Sequence, residues 1–317
     1  MPIVLLVRWI FLALVCMFTG GVFTGGVAMG SEPKHVLMIA GPPSHGYGAH
    51  EHYAGLRLLA SEIEADDCAA EVVKGWPTDA SKIEHADSIV FFADGGGRHP
   101  AIEHLDVLER RAEEGCGLAA IHYATETVPG EVGDRWLGLM GGHFEINYSV
   151  NPHWTAELQP NPEHPISDGV KPFKLLDEWY FHLRFQPEGV TSILQAVAPE
   201  STMRRKDGHH SGNPDVRKSV AAKEPQILAW AYERPTLRDG GKSGRSFGIT
   251  GGHFHWVWGN ESMRTVTTRG IRWTAGLPVD RPQGQGQVTT EDLLENQDYD
   301  QPKDFDLSRI EEFVQSP

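Results

Sequence analysis

Histidines that stand beside glycines are the residues of this sequence with the clearest chemical potential. The segments GGHFE and GGHFH, at 141–145 and 251–255, nearly repeat each other, and His122 ends the short apolar run in GLAAIHYATE. Glycine lets a backbone approach a ligand closely, and imidazole both titrates near neutral pH and ligates metals. Acid–base or metal chemistry is therefore expected of a set of histidines: His45, His122, His143 and either His253 or His255.

Other polar segments are candidates for ligand binding. The run from Asp94 to Arg98 is compatible with a tight turn that ends in a solvated arginine. It is equally compatible with a backbone nest for an anionic or hydroxyl-rich ligand. The segment LLDEWYF offers a carboxylate, Glu178, and two rings, Trp179 and Tyr180, that could stack on a sugar or simply belong to the core. The sequence contains no His-Glu-x-x-His, Cys-x-x-Cys or Gly-x-Ser-x-Gly motif, so none of these standard sites accounts for the histidines.

The elements that position these residues follow from hydrophobic periodicity. Apolar runs predict buried strands at 35–41, 69–74, 88–94 and directly before His122, with amphipathic helices between them. Such alternation indicates an α/β protein with a parallel sheet and helices on both faces. Ligands bind at the carboxyl ends of strands in these sheets, and the candidate residues follow those ends. Further strands and a last helix are predicted at 154–159, 192–198, 226–233, 245–252 and 261–276.

The first 30 residues have the features of a signal peptide. Arg8 precedes an apolar run at 9–18, and residues 28–30 fit a small-x-small cleavage site, although an uncleaved anchor is the alternative. Export to the periplasm or the extracellular space is therefore expected. The net charge of −15 argues against nucleic acids and anionic membranes as partners, apart from the membrane contact that export requires.

Several segments together resemble the trehalose-utilisation (ThuA-like) family. In chain order, from residue 35 to about 276, the main ones are VLMIAGPPSHGYGAHEH, GLAAIHYATE, GLMGGHFEINYSVNPHWTAEL, LLDEWYFHLRF and RSFGITGGHFHWVWGNESMR. The resemblance implies a flavodoxin-like fold similar to class I glutamine amidotransferases, and a role in carbohydrate catabolism. Those enzymes carry a nucleophilic cysteine on the turn where this sequence has His122, and imidazole cannot form their thioester. Glutaminase activity is therefore not expected. Their later histidine would correspond to His255, or to His253 if the register slips by two.

Together with the composition of the two ends, the resemblance gives the expected organisation of the chain. The expected domains are a signal peptide at 1–30, a ThuA-like domain at 31–280 and an acidic C-terminal tail at 281–317, which either wraps the surface or is mobile. In the strand order 2-1-3-4, Cys68 and Cys116 would be about 14 Å apart, whereas a disulfide needs Cα atoms within about 7 Å. The two cysteines are therefore not expected to pair.

Three functions are compatible with these features. The first is an enzyme of sugar or keto-sugar derivatives in which His122 is the general acid or base, His255 or His253 is its partner, and Glu126 or Glu145 orients an imidazole. Substrate-binding roles then go to His45, Asp94, Arg98, His143, Glu178, Trp179 and Tyr180. The second is a metal-assisted enzyme with zinc or manganese held by His122, His143, Glu145 and His255. The third is a carbohydrate-binding module without catalytic activity.

Overall fold

The computed structural model describes residues 32–237, 239–280 and 288–314. The predicted signal peptide at 1–30 and the first residues of the predicted tail, 281–287, lie outside these ranges. Within the described ranges, no helix has both the length and the apolar character that crossing a bilayer requires. The strands are β1 (Lys34–Ala40), β2 (Cys68–Lys74), β3 (Ser88–Phe92), β4 (Gly117–Ile121), β5 (Gly142–His143), β6 (His153–Pro160), β7 (Phe173–Glu178), β8 (Arg184–Phe185), β9 (Val190–Val197), β10 (Pro225–Arg234) and β11 (Gly244–Ile249). The helices are α1 (His52–Ile63), α2 (Ala80–His85), α3 (Leu105–Glu113), α4 (Glu131–Met140), α5 (Pro214–Ala221), α6 (Glu261–Thr274), α7 (Thr290–Leu294) and α8 (Ser308–Val314).

A nine-stranded sheet forms the centre of the fold, in the order β2-β1-β3-β4-β11-β10-β9-β6-β7. The first five strands are parallel, and their order is the 2-1-3-4-5 order of flavodoxin-like sheets. This confirms the predicted fold class. The other four strands pair antiparallel and extend the sheet on one side. Their pattern differs accordingly: β3 and β4 are buried throughout, whereas β6 alternates between buried and exposed residues.

Helices cover both faces of the parallel strands. Along β1, Val36 and Met38 belong to the core beneath α1 and α6, whereas Leu37 and Ile39 belong to the core beneath α2, α3 and α4. Each of these side chains is at most 3% exposed. Burying an aliphatic side chain of this size stabilises a fold by about 1.5–3 kcal/mol. The alternation therefore anchors the strands and fixes which loops meet at their carboxyl ends.

The cysteines occupy the positions on which the disulfide prediction was based. Cys68 begins β2, Cys116 directly precedes β4, and β1 and β3 lie between those two strands. Both thiols are buried and free. Burial raises the pKa of each thiol to about 11. Neither thiol therefore supplies a nucleophile near neutral pH.

The described part of the C-terminal tail, residues 288–314, packs onto the domain. Leu293 and Ile310 are fully buried, and the ring of Phe305 lies 5.0 Å from that of Tyr47. The backbone N–H of Asp298 donates to the carboxylate of Glu51 at 2.7 Å. The tail is thus tied to the loop between β1 and α1.

Candidate functional site

The loops after β1, β3, β4 and β11 meet at the carboxyl edge of the parallel strands. His45, His50 and His122 in these loops all have left-handed backbone conformations, with φ of 66°, 51° and 56°. They make up three of the seven non-glycine residues with positive φ in the described part of the chain. Such conformations cost about 1–3 kcal/mol each and collect at functional sites. The positive φ values therefore mark this edge as a candidate functional site.

Three imidazoles and a carboxylate converge there. His50, His122, His253 and Glu178 each offer one ligand atom, and these four atoms lie within 4.8 Å of one another. The His50 Nε2 atom is 3.2 Å from His122 Nε2 and 3.0 Å from His253 Nδ1. The Glu178 carboxylate is 3.2 Å from His253 Nδ1 and 3.6 Å from His122 Nε2. These four residues are called the histidine cluster below.

The partners of the outer nitrogens fix where two of the rings carry their protons. The Nδ1–H of His122 donates to the carbonyl oxygen of Thr250 at 2.8 Å, and a carbonyl can only accept. The Nδ1–H of His50 donates to the carboxylate of Asp94, also at 2.8 Å. In the neutral rings, both Nε2 atoms therefore carry lone pairs directed into the cluster.

Burial keeps these rings neutral. His50 and His122 are at most 1% exposed, and burial lowers the pKa of both imidazoles, that of His122 well below its usual value. Burial opposes ionisation of Glu178, but hydrogen bonds from His153 and His253 outweigh it and hold the pKa of this carboxyl far below its usual range. The cluster thus joins the neutral imidazoles of His50 and His122 to one carboxylate anion.

Tyr180 closes the cluster on its inner side. Its hydroxyl oxygen lies 3.2 Å from His122 Nε2, the two rings are 4.6 Å apart, and the hydroxyl also forms a hydrogen bond with the Glu178 carboxylate. Burial, and then the charge of Glu178, raise the pKa of this phenol well above its usual value, so the hydroxyl keeps its proton. The neighbouring Trp179 does not reach the site. It is fully buried and its indole N–H donates to the carbonyl of Leu175, which corrects the expected stacking of Trp179 on a sugar.

Asp94 supports the cluster from the adjacent loop. It is 1% exposed and accepts hydrogen bonds from His50 and Ser44, while Arg98 lies 2.8 Å away on the solvent side. Burial opposes its ionisation, but the hydrogen bonds from His50 and Ser44 prevail and keep its pKa far below the usual range. The more exposed His45 lies over His50, with ring centroids 3.8 Å apart. The structure thus brings the predicted residues His45, Asp94 and Arg98 together beside the cluster.

The local backbone determines that His253, and not His255, belongs to the histidine cluster. Gly252 has φ of 123°, a conformation suited to glycine, and its N–H donates to the buried carboxylate of Asp177 at 2.5 Å. The N–H of Phe254 donates to the same carboxylate at 3.1 Å. This turn directs His253 into the cluster. His255 begins a short 3-10 turn outside the cluster, where burial lowers its pKa to about 3.

The metal-ligand set predicted from the sequence is not brought together. His143 lies beneath α4, where its Nε2 accepts the N–H of Thr127 at 3.3 Å. Glu145 pairs with Arg184. Of the predicted set of His122, His143, Glu145 and His255, only His122 belongs to the histidine cluster, where its neighbours are His50, Glu178 and His253. Glu126 is also outside the cluster, paired with His210.

Sequence reasoning missed three histidines at this edge. His50 lies at the centre of the cluster, His153 contacts Glu178 at 3.5 Å, and His210 bonds to Glu126. A signal for His50 was present, because the segment HEH directly follows a glycine-rich loop after the first strand. The other two histidines come from β6 and from a surface loop, and no local pattern marks them.

Comparisons with known proteins agree with this fold. A family model described as ThuA, trehalose utilisation, matches residues 36–274. No curated protein matches the sequence. A solved ThuA-like protein from Parabacteroides merdae is 14% identical with a TM-score of 0.55, and the match covers 83% of this chain and all of that one. Another from Bacteroides uniformis is 15% identical with a TM-score of 0.53, covering 82% and 100%. At such identities the likeness concerns the fold alone.

Proposed function

The chain belongs to the ThuA (trehalose utilisation) family, and on that premise we propose that it is an enzyme acting on a small sugar or keto-sugar derivative. We propose further that the histidine cluster, His50, His122, Glu178 and His253, holds a divalent cation such as Zn²⁺ or Mn²⁺ at the active centre. The family description supports the carbohydrate substrate, and the geometry of the cluster supports the cation.

One observation carries the proposal of a cation. His50 Nε2 and His122 Nε2 lie 3.2 Å apart, and both are lone-pair atoms because each ring donates its Nδ1–H elsewhere. Two lone pairs that face each other without a proton between them repel. A cation between them would replace that repulsion with coordination, and the Glu178 carboxylate would offset its charge.

The partners behind the cluster match those of metal-ligating histidines. Such histidines almost always donate their other ring N–H to a carboxylate or a backbone carbonyl. Asp94 accepts from His50 and the Thr250 carbonyl accepts from His122, so both kinds of partner are present. Three imidazoles and one carboxylate suit zinc or manganese. A cation held there would act as a Lewis acid that polarises an oxygen of the substrate.

The surroundings of the cluster suit a hydroxyl-rich ligand. The ring of Tyr123 is half-buried 6.0 Å from that of His50, and the exposed ring of His153 lies 4.8 Å from that of His253. With His45 and Arg98 they form a rim of hydrogen-bond donors and aromatic faces beside a buried charged centre. The signal-peptide features of residues 1–30 make an exported, periplasmic or extracellular enzyme part of the same proposal.

Metal binding is tested first, and without any substrate. Protein purified without chelators is analysed for bound metals, stripped, and titrated with Zn²⁺ and Mn²⁺ by calorimetry. Glu178→Gln should weaken binding by at least 100-fold, since the variant keeps the shape of the side chain but loses the anionic ligand. Glu145→Gln is the matched control: it removes a carboxylate of the set predicted from sequence, and binding should not change. Equal affinity of wild type and Glu178→Gln would exclude the cluster as the metal site.

Activity is tested on a panel of oxidised and unoxidised disaccharides, with and without the added metal. Turnover that requires the metal and is lost in Glu178→Gln supports the proposal. Turnover that is independent of metal would favour acid–base chemistry by His122 alone. Sugar binding in calorimetry without any product would identify a binding module instead.

A further inference from the structure

Glu126 and His210 form a second pair of titratable side chains beside the histidine cluster. Glu126 follows β4 and is only 2% exposed. His210 lies in the loop between β9 and α5, and its Nε2 is 3.2 Å from both carboxylate oxygens of Glu126. The proposed cation site uses neither residue. A buried carboxylate with a histidine supplied from a surface loop therefore needs its own explanation.

An aromatic wall connects this pair to the cluster. The ring of Phe144 lies 5.0 Å from the ring of Tyr180, whose hydroxyl contacts His122. Phe144 also stacks on the ring of His210, with ring centroids 5.4 Å apart and an interplanar angle of 22°. The charge of Glu178 also reaches His210, where it raises the pKa of the imidazole. Phe144 thus links the pair to the cluster through two ring contacts.

The orientation of His210 leaves one nitrogen available. Its Nε2–H donates to Glu126, so Nδ1 points away from the carboxylate. Nδ1 has no hydrogen-bond partner among the described residues, and the side chain is 34% exposed. The backbone around it is fixed, because the N–H groups of Asn147 and Asn151 donate to the carbonyls of His209 and His210 at 2.7 and 3.0 Å. The exposed nitrogen is therefore held in place.

We propose that His210 exchanges a proton with the sugar substrate through Nδ1, and that Glu126 is the residue that positions it. This rests on the proposed function. In the forward direction, the Nδ1–H bond of protonated His210 breaks while an O–H bond forms on a substrate oxygen. The neutral ring then regains a proton from water, and no electrons are transferred. Orientation of a histidine by a buried carboxylate is a recurring arrangement for such proton transfer.

The charges around His210 favour this role. The hydrogen bond with Glu126 is the largest influence on its pKa and raises it, while partial burial and the charge of Arg205 act in the opposite direction. Glu178 adds to the increase, and a cation bound at the cluster would offset that contribution. Glu126 is then the main source of the shift. Proton transfer is most efficient when the pKa of the acid or base lies near the working pH.

Kinetics test the proposal once a substrate of the disaccharide panel has been found. His210→Asn should lower kcat by about 100- to 1,000-fold with little change in metal content, as for loss of a general acid or base. The control is His209→Asn, which alters the exposed neighbouring residue and should leave kcat unchanged. Glu126→Gln should move the limb of the pH profile that belongs to His210 to lower pH, since the ring loses its anionic partner. Wild-type kcat in His210→Asn, or an unmoved limb in Glu126→Gln, would overturn the proposal.

A second measurement separates this proposal from the proposed function. The ring resonances of His210 are assigned by NMR from their absence in His210→Asn, and trehalose and its keto derivative are titrated into the wild-type protein. A shift of these resonances together with turnover supports the proposal. A shift without turnover of any sugar would overturn the proposed enzymatic function and therefore also the proton transfer by His210. His210 would then be a residue that only contacts the sugar. If a sugar is turned over and its own titration leaves these resonances unmoved, only the role of His210 is overturned.

Discussion

The hydrogen bond between Asp94 and His50 offers a quantitative test of the proposed cation site. Asp94→Asn removes the charge of the carboxylate but keeps its size, so the Nδ1–H of His50 faces an amide. Both residues are at most 1% exposed and the bond is 2.8 Å long, so water does not screen it. If the bond orients His50 and strengthens its Nε2 as a ligand, the substitution should weaken metal binding without removing a ligand.

The magnitude follows from the character of this bond. Hydrogen bonds to charged groups contribute about 1.5–3 kcal/mol. At about 1.36 kcal/mol for each factor of ten, this corresponds to a loss of about 10- to 150-fold in metal affinity. The range agrees with the 10- to 100-fold loss that is typical when partners behind metal-binding histidines are replaced. Because the asparagine oxygen can still accept from His50, we expect the lower half of the range. Arg98 also loses its partner, but its exposed side chain makes this contribution small.

The assay is a competition titration of metal-free protein with Zn²⁺ against a chromophoric chelator. Asp106→Asn serves as the matched control, because Asp106 is an exposed carboxylate that pairs with Arg135 and not with a residue of the histidine cluster. Thermal melts of both variants without metal establish that they are folded. If Asp94→Asn bound zinc as tightly as the wild type while Glu178→Gln did not bind it, Asp94 would have no part in holding the metal ligand. The reasoning from the orientation of His50 would then be refuted.

Two further predictions concern stability. Phe305→Ala should reduce stability by about 1–2 kcal/mol and weaken Zn²⁺ binding several-fold, because the Phe305 ring packs on Tyr47 in the loop that carries His50. The control is Leu307→Ala at an exposed position, which should change neither the thermal melt nor the zinc titration. His99 is buried, and burial lowers its pKa to about 3. In the unfolded chain a histidine has a pKa near 6.5, so between about pH 3 and pH 6.5 the unfolded chain binds more protons than the folded one. Stability is therefore lost as the pH falls through this window. Measured by urea unfolding between pH 6 and pH 4, His99→Gln should reduce this loss by about 1.4 kcal/mol per pH unit. If wild type and variant lost stability equally with pH, His99 would not be the source of the loss.

The parallel half of the fold was predictable because its information is local. Strands β1, β3 and β4 are continuous apolar runs with helices between them, and each lies within two residues of its prediction. The order of such strands follows from a small set of permitted topologies. The antiparallel half carries no comparable signal. Three of its four strands, β6, β9 and β10, were predicted, whereas β7 was missed. The pairing of β6 with both β7 and β9 depends on contacts between segments far apart in the sequence.

The site was predictable only as far as the edge of the sheet. The sequence placed His122 and Asp94 at strand ends, and from there the fold brings them to one side. It did not distinguish His253 from His255, because the two are separated by two residues and the choice depends on the turn at Gly252. That turn is held by Asp177, which is more than 70 residues away and belongs to β7. The conformation of the loop at Gly252 thus depends on Asp177, and no local sequence pattern predicts that contact.

The near-repeat of GGHFE and GGHFH explains why the structure does not group the predicted metal ligands. In the first copy, Gly141 ends helix α4 with φ of 74°, and His143 continues into a two-stranded sheet that is separate from the central one. In the second copy, the glycines follow β11 of the central sheet and turn His253 into the cluster. The same sequence, Gly-Gly-His-Phe, thus follows a helix in one place and a strand in the other. Whether the histidine lies in the cluster depends on the helix or strand that precedes it. The neighbouring glycines supply only the conformational freedom that the end of a helix or of a strand requires.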